Sequence, residues 1–147
     1  MREVKYAQLS DLQPIVAIDQ QVIGHPNRRE EIQRAIREQG CLVVKREGKA
    51  TGFLLFNTQF FENTFVSLII IAPEERRKGY ASSLLTYFEK ISPTEKIFSS
   101  TNQSNIEMQK VFKKNGYTPS GMIENLDLGD PELIYFKNKE DKYNPDK

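Results

Sequence analysis

The chain has 147 residues, with 21 Lys and Arg against 20 Asp and Glu, a formal net charge of +1, one His and one Cys. That length suits one domain with a core that needs no staples. The charge balance argues against a dedicated nucleic-acid binder, a lone Cys excludes an internal disulfide, and one His with one Cys leaves no His/Cys zinc site. The opening MREVKYAQLSDL lacks the apolar core of a secretory signal, and no apolar run approaches the ~20 residues of a membrane helix. A cytoplasmic protein, without metal or membrane, is the expectation.

Residues 2–8 read as a short first strand. Ser10 with Gln13 fits a capping box that opens a helix with Leu12, Ile15, Val16 and Ile18 on its apolar face. Ile23-Gly24-His25-Pro26 breaks the pattern. Asn27 with Glu30 marks a second helix start, Ile32, Ala35 and Ile36 follow at helical spacing, and Gly40 is a stop. CLVVKREGKATGFLLF is two apolar runs around Arg46-Glu47-Gly48, a hairpin by its turn chemistry. Thr64–Ile71 is the next strand, and its apolar run after Ser67 predicts cover on both faces.

A helix from Gly79 to Ile91 turns Leu84, Leu85, Phe88 and Ile91 inward, and Lys96–Ser99 is a short strand. Ser104 with Glu107 reads as the cap of a helix whose core face is Ile106, Met108, Val111 and Phe112, ended by Gly116. Residues 117–126 and 131–137 are two strands joined by the turn sequence Asp127-Leu128-Gly129-Asp130-Pro131. The domain is expected over 1–138, with a mobile tail over 139–147. This order predicts an α+β fold, a mixed central sheet flanked by helices in an α/β/α sandwich.

Between the apolar run VSLIII and the following helix lies Ala72-Pro73-Glu74-Glu75-Arg76-Arg77-Lys78-Gly79. A helix start presents backbone N–H groups and partial positive charge. Gly79 lacks a Cβ and lets an anion approach the backbone, while Arg76, Arg77 and Lys78 add cations. The stretch matches neither GxxxxGK[ST] nor GxGxxG. It reads either as a phosphate cradle or as a solvated charge cluster in which the glycine serves a turn.

Arg76-Arg77-Lys78-Gly79-Tyr80-Ala81 resembles the R/Q-x-x-G-x-G/A signature of the GNAT superfamily of N-acetyltransferases. Asn105-x-x-Met108-x-x-Val111-Phe112-x-x-Asn115-Gly116-Tyr117 resembles that family's N-x-x-A-x-x-L-Y-x-x-x-G-F, and the element order over 1–138 is similar. The resemblance implies a GNAT fold that takes acetyl-CoA as co-substrate and moves its acetyl group directly to an amine of a small molecule, peptide or protein. It implies backbone contacts from Ile69 and Ile71 to the pantetheine arm. The pyrophosphate would take amides from Arg77, Lys78, Gly79, Tyr80, Ala81 and Ser82, with the side chains of Arg76, Arg77 and Lys78 nearby. Asn105 would contact the cofactor arm, or is a plain N-terminal helix residue. An N–H near Ile70 or Ile71 would hold the oxyanion.

Two positions depart from the family pattern. Phe112 stands where many members carry a Tyr that protonates the leaving thiolate, and Phe65 where some carry a Glu base. Phe112 reads as core, or as a contact to the acyl arm. Tyr117 and Tyr80 are substitute acids, and Glu62, Glu124 and Asp127 substitute bases, each with a plainer reading as packing, solvated or turn residue. His25 lies in a loop that borders the acceptor pocket in this family and is a candidate substrate contact, as are Phe61 and Asn125. Phe60 and Phe61 could instead close the core. Glu124, Asn125, Asp127, Asp130 and Glu132 ring the final hairpin, an acidic rim that favours a cationic amine. Cys41 reads as a small buried residue. The rivals are a non-catalytic acyl-CoA-binding module and a pure interaction domain with RRKG as surface charge. Homodimers are common in the family, but no residue here demands one.

Overall fold

The computed structural model describes residues 1–25 and 27–139. Its elements are β1 (Arg2–Tyr6), α1 (Leu12–Ile23), α2 (Arg29–Arg37), β2 (Cys41–Arg46), β3 (Lys49–Phe60), β4 (Asn63–Ile71), α3 (Tyr80–Ile91), β5 (Lys96–Asn102), α4 (Ile106–Lys114), β6 (Thr118–Ile123) and β7 (Glu132–Asn138). The strands hydrogen-bond in the order β1-β2-β3-β4-β5-β7-β6. β4 and β5 pair in parallel, whereas β1–β2, β2–β3, β5–β7 and β6–β7 are antiparallel. This is the mixed sheet with helices predicted from the element order. The chain divides into two compact units, one of residues 1–56 with 67–90, the other of 57–66 with the chain from 91 onward.

In the first unit, Ile15, Ile32, Val43 and Phe53 are fully buried in one core with Leu12, Val16, Ile18, Ile36 and Leu55. The apolar faces expected of the first two helices are therefore the faces buried. Their starts differ from expectation. Gln8 N–H donates to Asp11 Oδ2 at 2.8 Å and Asp11 N–H to the Gln8 carbonyl at 2.7 Å around a 3-10 turn, Leu9–Asp11, so α1 begins at Leu12. Pro14 explains the shift. A helix capped by Ser10 would need an N–H from Pro14, whereas a start at Leu12 places Pro14 in the first turn, where no helical partner exists. Arg28, not Asn27, precedes α2, and its guanidinium grips the buried Asp19 of α1 through bonds of 3.1 and 3.0 Å. The β2–β3 connection has φ of 52° at Glu47 and 82° at Gly48, the two positive values that a tight type I′ hairpin turn requires.

β4 corrects a further expectation. Leu68, Ile69, Ile70 and Ile71 are each only partly buried, and Ser67 is exposed. The parallel ladder with β5 covers only Thr64–Val66 against Ile97–Ser99, so the most apolar part of the strand lies beyond it.

In the second unit, Ile97, Phe112, Tyr117, Ile134 and Tyr135 are buried. The cap of α4 is Asn105, whose side chain accepts from Met108 N–H at 3.1 Å. Ser104 is drawn off instead to Asp130, its hydroxyl at 2.6 Å and its amide at 3.0 Å from the carboxylate. Of the expected core face of α4 only Phe112 is buried, and Ile106 is 54% exposed. β6 ends at Ile123 rather than at residue 126, because Asn125 takes a φ of +77° that breaks the extended run. Phe60, Phe65, Phe98 and Phe136 form a row across strands with centroids 4.9–5.2 Å apart. Phe61, 83% exposed at a φ of +51°, does not close the core with Phe60. Lys139 N–H donates to the Glu95 carbonyl at 2.9 Å, and the rest of the expected tail lies outside the described residues.

Candidate functional site

The first unit places a strand end, a loop and a helix start in one continuous stretch. Ala72 N–H donates to Thr51 O of β3 at 2.9 Å. Backbone groups of successive strand residues face opposite edges. Ile70 therefore faces β3 as Ala72 does, and Ile69 and Ile71 present their N–H and C=O on the edge away from β3. Gly52 makes room for this. A Cβ there would stand 2.9 Å from Ile70 O and 2.5 Å from Ile71 Cδ1, so only glycine lets β3 and the end of β4 approach this closely. Of the two amides expected near an oxyanion, Ile70 lies on the edge toward β3 and Ile71 on the edge away from it.

Beyond β4, Pro73–Glu75 form a 3-10 turn and Arg76 is extended. Arg77 then takes a φ of +64° and Gly79 one of +85° before α3 starts at Tyr80. Residues 76–79 are exposed. The helix opens with a bond from Ser83 N–H to Gly79 O at 3.0 Å, which leaves the amides of Gly79, Tyr80 and Ala81 outside the helix's own ladder. These amides lie at the positive end of α3, a setting that favours anions.

The three cations have distinct settings. Lys78 Nζ is 3.1 Å from Glu75 Oε1, and Arg46 reaches the other oxygen of Glu75 at 3.5 Å. The hydrogen bond from Lys78, aided by Arg46 and opposed by burial, holds the Glu75 carboxyl below its ordinary pKa. Glu75 is thereby an anchor for the loop, and Lys78 is engaged in holding it. Arg76 Nε donates to Ile71 O at 3.4 Å, folding back on the strand end. Arg2 of β1, which no sequence pattern singled out, donates to the Lys78 carbonyl at 2.6 Å and to Ser83 Oγ at 3.0 Å. Its guanidinium lies 4.1 Å from the centre of the buried Tyr80 ring. That packing makes Tyr80 a support of the helix start.

His25, in the same unit, is exposed, and its Nδ1 accepts from Asn27 N–H at 3.3 Å. Cys41 is buried, and burial together with the charge of Asp11 pushes its thiol up to about 12, so it stays protonated near neutrality.

In the second unit, Phe112 stacks on Tyr135 at 4.8 Å and packs against Tyr117 at 5.5 Å, all three rings buried. Asn105 is exposed, with its side-chain oxygen occupied by the cap bond. Asp127 accepts from Asn102 Nδ2 at 2.9 Å, which with the Ser104–Asp130 pair pins the 127–130 turn. Glu124 and Asn125 are exposed on the loop that follows β6, and Glu62 and Phe61 on the tip between β3 and β4. Among the described residues no group of three or more His, Cys, Asp or Glu is placed to hold a metal ion, and no helix is long and apolar enough to cross a membrane.

The sequence profile of the Acetyltransferase (GNAT) family matches residues 10–117. A GNAT-family acetyltransferase from Bacillus cereus ATCC 10987, known from its crystal structure, is 53% identical with a TM-score of 0.92, covering 94% of this chain and 97% of that one. The chain belongs to the GNAT acetyltransferase family. More distant structures share the fold. The ribosomal-protein-S18-alanine N-acetyltransferase from Escherichia coli is 16% identical with a TM-score of 0.78, covering 94% of each chain. The yncA protein of Salmonella typhimurium, solved with its cofactor acetyl-CoA, is 15% identical with a TM-score of 0.79, covering 95% of this chain and 94% of that one. No curated protein matches.

Proposed function

We propose that this acetyltransferase binds acetyl-CoA and transfers the acetyl group to an amine of a small molecule, peptide or protein in the cytoplasm. The observation that carries this reading is the continuous stretch from Ile69 to Ser82. It combines a partly buried apolar strand end with an exposed loop that takes positive φ at Arg77 and Gly79 and leads into the start of α3. The apolar run that the core does not fully cover is then the wall for the pantetheine arm, with the backbone of Ile69 and Ile71 as its hydrogen-bonding edge. The amides from Arg77 to Ser82, with Arg76 and Arg77 beside them, receive the pyrophosphate.

Acetyl-CoA supplies an activated thioester. The acceptor must reach it as a neutral amine, since an alkylammonium of pKa ~10.4 has no lone pair. The nitrogen attacks the thioester carbon, the Ile71 amide stabilises the oxyanion, the nitrogen gives up one proton to water, and the C–S bond breaks. The leaving thiol has a pKa of about 8.5, so a thiolate departs and takes its proton from water without a dedicated side-chain acid. This accommodates a phenylalanine at position 112. The exposed Glu124, Asn125 and Asp127 of the second unit suit a cationic acceptor, Glu124 as the carboxylate not tied into the turn.

The buried ring stack of Phe112 favours a second reading, an acyl-CoA-binding module without turnover. A panel of primary amines, peptides and protein N-termini with acetyl-CoA separates the two. Acceptor-dependent release of CoA thiol supports the enzyme. CoA binding without release from any acceptor supports the module.

A further inference from the structure

We infer that Arg2 is a positioning residue for the anion-binding loop, acting across the fold from the first strand. This rests on the proposed acetyl-CoA reading. Three contacts converge on one guanidinium: the Lys78 carbonyl at 2.6 Å, Ser83 Oγ at 3.0 Å and the face of Tyr80 at 4.1 Å. Ser83 Oγ in turn donates to the Gly79 carbonyl at 3.1 Å. Arg2 therefore holds the carbonyls on either side of Gly79, one directly and one through Ser83.

The consequence follows from peptide planarity. In a trans peptide the C=O of one residue and the N–H of the next point in opposite directions. Holding the Lys78 carbonyl toward Arg2 turns the Gly79 N–H away from Arg2, out of the loop. Holding the Gly79 carbonyl toward Ser83 does the same for the Tyr80 N–H, which points out along the helix start. The bond to Lys78 is charge-assisted, and it polarises that peptide so that its N–H becomes a stronger donor. Arg2 also places its charge beneath the loop without occupying the anion's position. A glycine at 79 fits this arrangement, because a Cβ there would stand 3.3 Å from Arg2 Nη1.

Lys78 and Arg76, the expected anion ligands, are held by Glu75 and Ile71 O, and Arg2 orients the amides. A cation on an edge strand far away in sequence thus serves the motif from behind. Arg2 is exposed, and among buried side chains the contact given for it is the face of Tyr80.

The test is calorimetric titration of CoA into wild type, Arg2→Ala and Arg2→Lys, with the unfolding temperature and the Gly79 amide resonance recorded for each unliganded protein. The expected result is a roughly tenfold weaker Kd for Arg2→Ala, because the loop amides are no longer held in orientation before CoA arrives. The unfolding temperature falls by a few degrees but stays well above that of the titration, and the Gly79 amide proton moves upfield as its peptide loses polarisation. Arg2→Lys keeps the charge but cannot fork between Lys78 O and Ser83 Oγ, and stays closer to alanine than to wild type. An unchanged Kd, an unmoved Gly79 resonance, or a loss of binding explained by a loss of folding overturns the inference. Wild type that does not bind CoA overturns the functional reading and this inference with it. Wild-type binding with no Arg2 effect removes the inference alone.

Discussion

Gly52 and Gly79 show how single residues shape the stretch that carries the functional reading. Gly52 lies in a strand, where glycine is ordinarily a weakness. Here the missing Cβ lets the backbone of Ile70 approach β3, so the end of β4 is set by what position 52 lacks. Gly52→Ala forces Ile70 and Ile71 outward. Its expected effect is a loss of about 1–3 kcal/mol in stability by overpacking, with weaker CoA binding because the displaced residues are the proposed hydrogen-bonding edge. Chemical denaturation and CoA titration on the same variant measure both. A variant as stable as wild type with unchanged CoA affinity would contradict this placement. Gly79 was legible in the sequence through its motif, but Gly52 and Arg2 were not. Their importance comes from contacts between segments distant in the chain, and neither composition nor periodicity encodes those.

At the scale of elements, the apolar periodicities of the first three helices were legible because burial follows them directly. Helix starts were less so, because neighbouring residues compete to be the cap. Ser10 and Ser104 both fit a capping pattern, yet α1 follows a turn closed by Asp11 and has no side-chain cap bond, and Asn105 caps α4. Proline at 14 decided the first case and the pull of Asp130 on Ser104 the second. Asp11 also pairs with Lys45 at 2.8 Å. Burial works against its ionised form, but the Gln8 amide and the Lys45 ammonium outweigh it and lower its pKa. A carboxyl lowered in the folded state stabilises the fold above its unfolded value of about 3.9, and that contribution is lost as pH falls through the folded value. Asp11→Asn should therefore lower stability near neutrality and flatten its decline below about pH 4. Urea midpoints measured across that range check it, and an acid decline as steep as wild type would show that other carboxyls set it.

For the molecule as a whole, the element order, the mixed sheet and the family were legible over nearly the entire chain. Two spaced motifs and the order of strands and helices point the same way, and the match over residues 10–117 agrees with them. The chemistry of the acceptor was not legible. Phe112 and Phe65 leave the usual acid and base positions without a proton-carrying group, and the carboxylates of the last hairpin include two, Asp127 and Asp130, that hold a turn together. The half-buried end of β4 illustrates the same divide. A run of Leu68 to Ile71 reads as core from hydropathy alone, and only the short ladder with β5 shows that core packing does not use it fully.

The most direct test of the account is a thermal shift with CoA and acetyl-CoA, beside ATP, on wild type and on Gly79→Glu. A ligand at ~100 times its dissociation constant adds about 2.7 kcal/mol to the native state, a shift of several degrees for a domain of this size. The account predicts that CoA and acetyl-CoA stabilise wild type well beyond ATP. It also predicts that the carboxylate at position 79, set against the pyrophosphate, removes the shift while the variant still unfolds cooperatively. Equal stabilisation by ATP, no shift for wild type, or an undiminished shift for Gly79→Glu would contradict it.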